Sequence, residues 1–402
     1  MQIATGWSTR VATKEALEEA VSGIRGAMEE PPDFVVCQFT EQHAAQDVVR
    51  FLSQQWPHSA LHGATTCRAL LTPEGCVHED NRVVGLWALR DPEGAFGTGG
   101  AELDNAPREA AAAATRTALD HAGRPGELPS LVWISTAPGN EEEVLAGIED
   151  EVGDNVPILG GSTADNNVLG QWAQVTASKW MSNGVVVSVL FTSVEIGYAY
   201  HNGYVPQEVG GVATSSSGRV VHTIDGRPAA TVYNEWTDGR LDAALAENIP
   251  VLEATAFWPL GRVRGWLNNI PLYVLAHPEN VEADGGLRLF AAVQQGEPLV
   301  LMSGNRDSLV RRAGRVAESA LESLETRPTT MAGALITFCG GSMLAIEDDV
   351  DQVARSIHAV LGPSPYLGGF TFGEQGRLVG GGNYHGNLMI SVIIFSDQDA
   401  VF

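Results

Sequence analysis

Three segments of this sequence repeat one order of elements, and this repetition constrains the fold more than any other feature. In each, a strand-like run and an amphipathic helix lead to a glycine-containing segment, and another strand-like run follows. The glycine segments are LHGATT (61–66), PILGGST (157–163) and YLGGFT (366–371). A further amphipathic helix precedes each first strand. Strands that alternate with helices favour an α/β arrangement, and the consecutive strands after each glycine segment imply antiparallel pairs as well. We therefore predict an α/β fold of mixed α+β type, in which helix-strand-helix-loop-strand units form mixed sheets.

The length of the chain indicates more than one domain. A sequence of 402 residues is too long for one ordinary hydrophobic core. Between the second and third repeated units lies a different region, with a strand and turn that lead into a helix over 218–236 and hairpin-like strands over 271–279 and 287–303. We therefore place a boundary near Tyr204–Gly210. This predicts a first domain, 1–205, with two related units, and a second, 206–402, with a hairpin-rich insert and the third unit.

Charge and hydropathy exclude several classes of partner. The formal net charge of −25 repels the phosphates of nucleic acids and anionic lipid surfaces, so no nucleic-acid partner is expected. The longest apolar runs, 184–191 and 388–395, are too short to span a bilayer, so no membrane insertion is expected. The first residues lack the pattern of a signal peptide, and the four cysteines are scattered. These features predict a cytoplasmic protein.

The glycine segments are candidates for a binding site. None carries the lysine of a phosphate-binding Walker loop, and none has the serine pattern of a nucleophile elbow. Two interpretations stay open: the glycines make tight turns, or they expose backbone N–H groups and hydroxyls to a cavity at the ends of strands. The second interpretation predicts ligand contacts from two groups of residues, namely Gly161, Ser162, Thr163 and Asp165, and Gly368, Gly369 and Thr371.

The C-terminal tail adds ionisable side chains to the third glycine segment. Glu374 lies in a glycine-rich stretch, where it can orient an amine, and His385 can donate to a carboxylate or coordinate iron. The alternative interpretations are a solvated carboxylate and a buried, hydrogen-bonded imidazole. Together, an acidic group and an imidazole near flexible glycines predict a ligand that carries an amine and a carboxylate, as an amino acid does.

Four stretches together resemble the FIST proteins, which have an N-terminal FIST domain followed by a C-terminal one. They are PILGGSTADN (157–166), IDGRPAATVY (224–233), GALITFCGG (333–341) and the tail LGGFTFGEQGRLVGGGNYHGNLMISVIIF (367–395). The resemblance implies an intracellular sensory module that binds small ligands such as amino acids and signals to a separate protein. It implies no established reaction, so neither an enzyme nor a cofactor is expected. By the same resemblance, Cys339, Glu374 and His385 lie at positions where the family carries such side chains.

Three other chemistries stay open as alternatives. Some FIST proteins bind haem and sense nitric oxide, and by that resemblance His385 is the expected iron ligand. A hydrolase is a second alternative, with Cys339 as nucleophile, His385 as base and Glu374 as the group that orients it. A metal site is the third, because two histidines and two cysteines lie around the first glycine segment, but their spacing matches no paired-ligand pattern. These four residues are His62, Cys67, Cys76 and His78.

Overall fold

The computed structural model describes residues 1–247, 250–325 and 330–399, and its helices and strands confirm the predicted mixed α+β class. The first segment (2–90) contains β1 (Gln2–Ser8), α1 (Thr13–Ala27), β2 (Phe34–Phe39), α2 (Ala45–Gln55), β3 (Ala60–Thr65), β4 (Leu70–Thr72), β5 (Gly75–Val77) and β6 (Val84–Arg90). The second segment (95–191) contains β7 (Ala95–Glu102), α3 (Pro107–His121), β8 (Leu131–Thr136), α4 (Glu141–Val152), β9 (Ile158–Ser162), β10 (Gln174–Val175), β11 (Trp180–Met181) and β12 (Gly184–Phe191).

The third segment (194–202 and 306–399) is interrupted by an insert (205–303). It begins with β13 (Val194–Asn202). The insert contains β14 (Val205–Ser217), β15 (Val220–Ile224), β16 (Arg227–Pro228), α5 (Ala229–Trp236), α6 (Asp242–Glu247), α7 (Leu252–Thr255), β17 (Leu260–Leu267), β18 (Ile270–Ala276), β19 (Pro278–Val281), β20 (Leu287–Leu289) and β21 (Pro298–Ser303). The third segment then continues with α8 (Arg306–Glu322), β22 (Met331–Cys339), α9 (Gly340–Ala345), α10 (Val350–Leu361), β23 (Tyr366–Thr371), β24 (Glu374–Arg377), β25 (Asn383–Gly386) and β26 (Met389–Asp399).

Each segment builds most of one six-stranded mixed sheet and donates a hairpin to another. The sheet orders are β1-β6-β2-β3-β10-β11, β7-β12-β8-β9-β24-β25 and β13-β26-β22-β23-β4-β5. The parallel pairs are β2/β3, β8/β9 and β22/β23, and their other neighbours run antiparallel. The hairpins therefore pass from the first segment to the third sheet, from the second to the first, and from the third to the second. This exchange interlocks the three segments.

The glycine segments lie in strands rather than in the loops expected from the sequence. They form β3, β9 and β23, each beside the donated hairpin. Gly160 has a φ of 149°, and a side chain there would collide with the backbone of Ile134. A Cβ on Gly161 would lie only 2.5 Å from Thr371 Cγ2. The glycines are thus explained by close approach to neighbouring strands, within one sheet for Gly160 and between two sheets for Gly161.

The sheets share a core that the helices cover from outside. A cluster with buried side chains from all three segments lies between the sheets, and includes Phe34, Trp87, Trp133, Leu367 and Phe395. Separate clusters lie beneath the helices of each segment. No helix in the described ranges is long and apolar enough to cross a membrane.

The insert forms its own sheet and supplies one side of the candidate site. Its order is β18-β17-β21-β14-β15-β20-β19, with β16 paired to β15. The strand expected over 271–279 is interrupted at His277, between β18 and β19, where Pro278 provides no backbone donor. The interruption places the buried His277 ring at the boundary between two cavities. The domain boundary predicted near Tyr204–Gly210 falls at the start of β14 and stays a prediction.

Candidate functional site

A cavity of about 410 Å³ lies at the carboxyl ends of β8 and β22, facing the insert. Its volume is within the range of small-molecule sites, and the ends of parallel strands are a common place for such sites. Most of its wall is apolar, and the side chains come from the second segment, the insert and the third segment. These apolar residues are Val168, Trp172, Leu252, Phe290, Leu344 and Phe372.

One side of the cavity carries a buried ion-pair cluster. Arg219, in the turn after β14, lies 2.5 Å from Glu141 and 2.7 Å from Glu142 through Nη2. Glu141 also accepts a hydrogen bond from Ser162 Oγ at 2.7 Å. The backbone N–H of Ala292 donates to Glu142 at 2.7 Å. The predicted site residue Ser162 therefore acts on the cavity indirectly, by holding one of its carboxylates.

A second pair of charges, Glu279 and Arg288, also lines the cavity. Glu279 is on β19 and Arg288 on the adjacent strand β20, where Asn280 and Arg288 are register partners. Arg288 donates through Nε to Glu282 at 2.6 Å. Among the described residues, the Glu279 carboxylate accepts no hydrogen bond and forms no ion pair, and burial raises its pKa while Arg288 opposes that shift. The wall therefore offers a partly buried carboxylate beside a guanidinium.

His277 and Asn387 provide the uncharged polar groups of the cavity. The backbone N–H of His277 donates to Asn387 Oδ1 at 3.2 Å. The Asn387 side-chain nitrogen, Nδ2, is buried and has no hydrogen-bond partner among the described residues. A buried donor without an acceptor costs about 1–3 kcal/mol, so this group is a place where a ligand acceptor would be stabilising.

Cys339 is the predicted site residue that reaches this cavity, whereas Glu374 lies behind it. Cys339 ends β22 and lines the cavity, and burial raises the pKa of its thiol well above the usual range. Glu374 is fully buried: its carboxyl oxygens accept from Thr371 Oγ1 at 2.8 Å and from the Met389 N–H at 3.0 Å. Burial raises the pKa of Glu374 to about 8. Glu374 thus supports the wall of the cavity rather than facing it.

His385 is also inside the protein, and both ring nitrogens have partners. Nδ1 lies 3.1 Å from Gln375 Nε2, and Nε2 lies 3.2 Å from the Phe290 carbonyl. Burial lowers the pKa of His385, which favours the neutral ring. Among the described residues no hydrogen bond joins His385 to Cys339, so the contact between nucleophile and base that the hydrolase alternative requires is not formed. The Cys339 thiol instead forms a hydrogen bond with Glu374. A haem iron needs a free imidazole nitrogen, so His385 in this arrangement does not fit the haem alternative either.

The other predicted residues take structural positions around the cavity. Gly161, Thr163 and Thr371 line a separate cavity of only about 10 Å³, which is too small for an organic ligand. Gly368 and Gly369 lie within the sheet, paired to β22 and β4.

Asp165 organises the loop that carries Val168 and Trp172. Its carboxylate accepts from four backbone N–H groups, with the distances 3.3, 2.5, 2.9 and 2.8 Å for residues 167, 168, 169 and 171. Asp165 itself is 1% exposed. This residue therefore shapes one wall of the cavity without lining it.

Sequence reasoning missed most of the polar residues of the cavity. They are Glu141, Arg219, His277, Glu279, Arg288 and Asn387. One signal was present for Glu141, which opens α4 shortly after the buried strand β8, at the end of a strand where ligands bind. The residues of the insert carry no comparable local signal, because they reach the cavity only when the insert packs against segments that are distant in the sequence.

Comparison with known proteins identifies the family. A 185-residue stretch is 26% identical to an uncharacterized protein of Methanocaldococcus jannaschii, covering 45% of this chain and 35% of the relative. The chain thus spans about a third of that curated relative's length. A crystal structure of cyanuric acid hydrolase from A. caulinodans aligns over 99% of both chains with a TM-score of 0.40 and 9% identity, too low to support an inference.

Two family models cover most of the chain. The FIST N domain matches residues 33–227, and the FIST C domain matches residues 229–377. FIST domains are associated with sensing in signal transduction and with the binding of small ligands. The two domains occur here in the order expected from the resemblance. The chain therefore belongs to the FIST family.

Proposed function

We propose that this chain is a sensory protein that binds an amino-acid-like ligand in the 410 Å³ cavity and signals to a separate protein. The observation that carries the proposal is the pair formed by Glu279 and Arg288 on adjacent strands of one wall. The carboxylate is complementary to an ammonium group, and the guanidinium is complementary to a carboxylate. An amino acid carries both groups on one carbon atom, so it matches a wall on which the two charges are neighbours.

The apolar part of the cavity supports the same class of ligand. Trp172, Phe290 and Phe372 line it together with aliphatic side chains. Such a surface stabilises an apolar ligand side chain by about 25 cal/mol for each Å² removed from water. We therefore expect amino acids with aliphatic or aromatic side chains to bind better than polar ones.

Isothermal titration calorimetry on the full chain tests the ligand class, with the common amino acids and their simple derivatives as probes. For the best binder, Glu279→Gln and Arg288→Gln should each lower the affinity at least tenfold. The reason is that a hydrogen bond to a charged group contributes about 1.5–3 kcal/mol.

Two matched variants control for general effects of charge. Glu235 and Arg227 pair with each other at an exposed site and do not line the cavity. Glu235→Gln and Arg227→Gln should change affinity less than threefold. Equal losses in all four variants, or no binding of any probe, would contradict the proposed ligand class.

The signalling step follows from the association of the family with signal transduction. A ligand that orders the loop held by Asp165 would alter the surface around Val168 and Leu169, which are 51% and 70% exposed. A partner is then expected to bind the loaded and empty protein with different affinity. Affinity purification from the source cells, with and without the calorimetrically identified ligand, measures this difference. Identical sets of bound proteins in the two conditions would count against a ligand-dependent signal.

A further inference from the structure

A second, larger cavity of about 660 Å³ adjoins the candidate ligand cavity. The two cavities have four lining residues in common, which are Leu252, His277, Gly341 and Leu344. Residues that line both spaces form a partition one residue thick, and Gly341 contributes no side chain to it. A ligand bound in the first cavity therefore lies next to additional space that a single amino acid would leave unused.

His277 presents a hydrogen-bond acceptor at this partition. Its Nε2 lies 3.2 Å from the carbonyl oxygen of Leu252 and 3.1 Å from Thr255 Oγ1, and that hydroxyl also contacts backbone carbonyls to which it can donate. A carbonyl only accepts, so both contacts of Nε2 are satisfied when Nε2 carries the proton. Burial lowers the pKa of His277 to about 4, which keeps the ring neutral near pH 7. Nδ1 is therefore an unprotonated acceptor, and it has no hydrogen-bond partner among the described residues. This nitrogen lies on the side of Gly341, about 4.0 Å from where a Cβ on that glycine would be.

Asn387 presents a hydrogen-bond donor beside that acceptor. Its Oδ1 accepts from the backbone N–H of His277, so the other side-chain atom is the NH₂ group. Asn387 is 2% exposed, lines the first cavity, and leaves Nδ2 without a partner in the described part of the chain. A free acceptor and a free donor are complementary to the N–H and the C=O of a peptide group, which point to opposite sides of a trans peptide bond, so such a group would lie between the two side chains.

The spacing of these groups suits an aminoacyl residue. Glu279 is two residues beyond His277, so the Cα atoms of the two residues are at most about 7 Å apart. One aminoacyl residue with a hydrogen bond at each end bridges a distance of this order. An ammonium group at Glu279 thus places the following peptide group near His277 and Asn387.

We propose that the ligand is a dipeptide whose peptide group binds His277 Nδ1 and Asn387 Nδ2, and whose second residue occupies the second cavity. This inference rests on the proposed function and specifies its ligand. The ammonium group pairs with Glu279, and the first side chain packs on the apolar wall. Arg288, which binds the carboxylate of a single amino acid, donates here to the peptide carbonyl oxygen that replaces it. In the second cavity, the Arg68 guanidinium pairs with Glu347 through Nη1 at 2.9 Å. Its Nη2 makes no hydrogen bond within the described part of the chain and can bind the terminal carboxylate.

Calorimetry on the unmodified full chain tests the proposal with leucine, leucyl-alanine and leucyl-N-methylalanine, and with the corresponding phenylalanine series. The dipeptide should bind at least tenfold more tightly than its amino acid. The N-methyl compound should lose that advantage, because it lacks the N–H that His277 accepts. Equal affinity of amino acid and dipeptide, or of the dipeptide and its N-methyl form, would overturn this proposal alone. Absence of binding by every compound would overturn the proposed function as well.

Filling the second cavity provides an independent test. Ala345 lines only the second of the two cavities, so Ala345→Trp should lower dipeptide affinity at least tenfold and leave amino-acid affinity within twofold. Ala345→Ser, at the same position, should leave both affinities within twofold. Unchanged dipeptide binding by correctly folded Ala345→Trp, checked by circular dichroism, would overturn the proposal. The compound series decides the question without any variant, so misfolding of Ala345→Trp does not affect that decision.

Discussion

The backbone N–H of His277 donates to the side-chain oxygen of Asn387 at 3.2 Å. His277 belongs to the insert, whereas Asn387 lies between β25 and β26 of the third segment. This hydrogen bond therefore joins two parts of the chain that are far apart in sequence, at the wall of the candidate ligand cavity. The side-chain oxygen of Asn387 is thus used within the protein, whereas its side-chain nitrogen has no partner among the described residues and can donate to a ligand.

Asn387→Leu should lower the free energy of unfolding by about 1–3 kcal/mol, because the buried His277 N–H loses its acceptor. Asn280→Leu is the matched control, since Asn280 is half-buried and its side chain makes no hydrogen bond among the described residues. That control should change stability by less than about 0.5 kcal/mol. Urea denaturation measures both variants. Equal effects of the two substitutions would show that the Asn387 hydrogen bond contributes nothing specific.

Asp165→Asn should weaken the loop over residues 167–171. The carboxylate accepts from four backbone N–H groups, and the amide replaces one of its oxygens with a donor that those groups cannot use. We expect a loss of about 1.5–3 kcal/mol in stability and faster amide hydrogen exchange confined to this loop. Asp154→Asn, at an exposed position, is the control. Unchanged exchange in the loop would contradict the role assigned to Asp165.

Val168 has a φ of 57°, in the left-handed region that a β-branched residue rarely adopts. Replacement by glycine should relieve about 1–2 kcal/mol of this strain, which offsets the entropy that glycine adds to the unfolded chain. Leu169→Gly is the matched variant, because Leu169 is a neighbouring exposed residue with no such strain. Thermal denaturation should therefore find Val168→Gly more stable than Leu169→Gly. The opposite order would indicate that Val168 is not strained.

Glu374 should make stability fall as the pH rises. Its pKa is about 8 in the folded protein against an ordinary value of 4.5, so the folded state binds the proton more tightly than the unfolded state. The resulting stabilisation is complete below about pH 4.5 and is lost as the pH rises to about 8, by about 1.4 kcal/mol per pH unit.

Glu374→Gln removes this titration while keeping the shape of the side chain. The stability of the variant relative to the unmodified chain should therefore increase between pH 5 and pH 8, as measured by urea denaturation at each pH. Glu195→Gln, the same substitution at a half-buried surface position, is the control. Parallel pH profiles for Glu374→Gln and the unmodified chain would contradict the raised pKa.

Local patterns in the sequence determined the fold class and the family. Runs of apolar residues such as 131–136 and 184–191 form buried strands, and amphipathic stretches form the helices beside them, because both patterns depend on residues close in sequence. The ordered motifs of the chain also indicated the FIST family, and the family models match it. Cys339 was identified at the end of a buried strand, where it lines the cavity.

The tertiary structure alone decided which side chains meet at the cavity. Glu374 is in a glycine-rich stretch that suggests a loop, but the donated hairpin β24–β25 pairs with β9 and buries it completely. Glu279 and Arg288 became neighbours of Cys339 because the insert packs against the ends of β8 and β22. Periodicity describes contacts within one element, whereas burial, charge pairing and cavity shape depend on contacts between elements far apart in the chain.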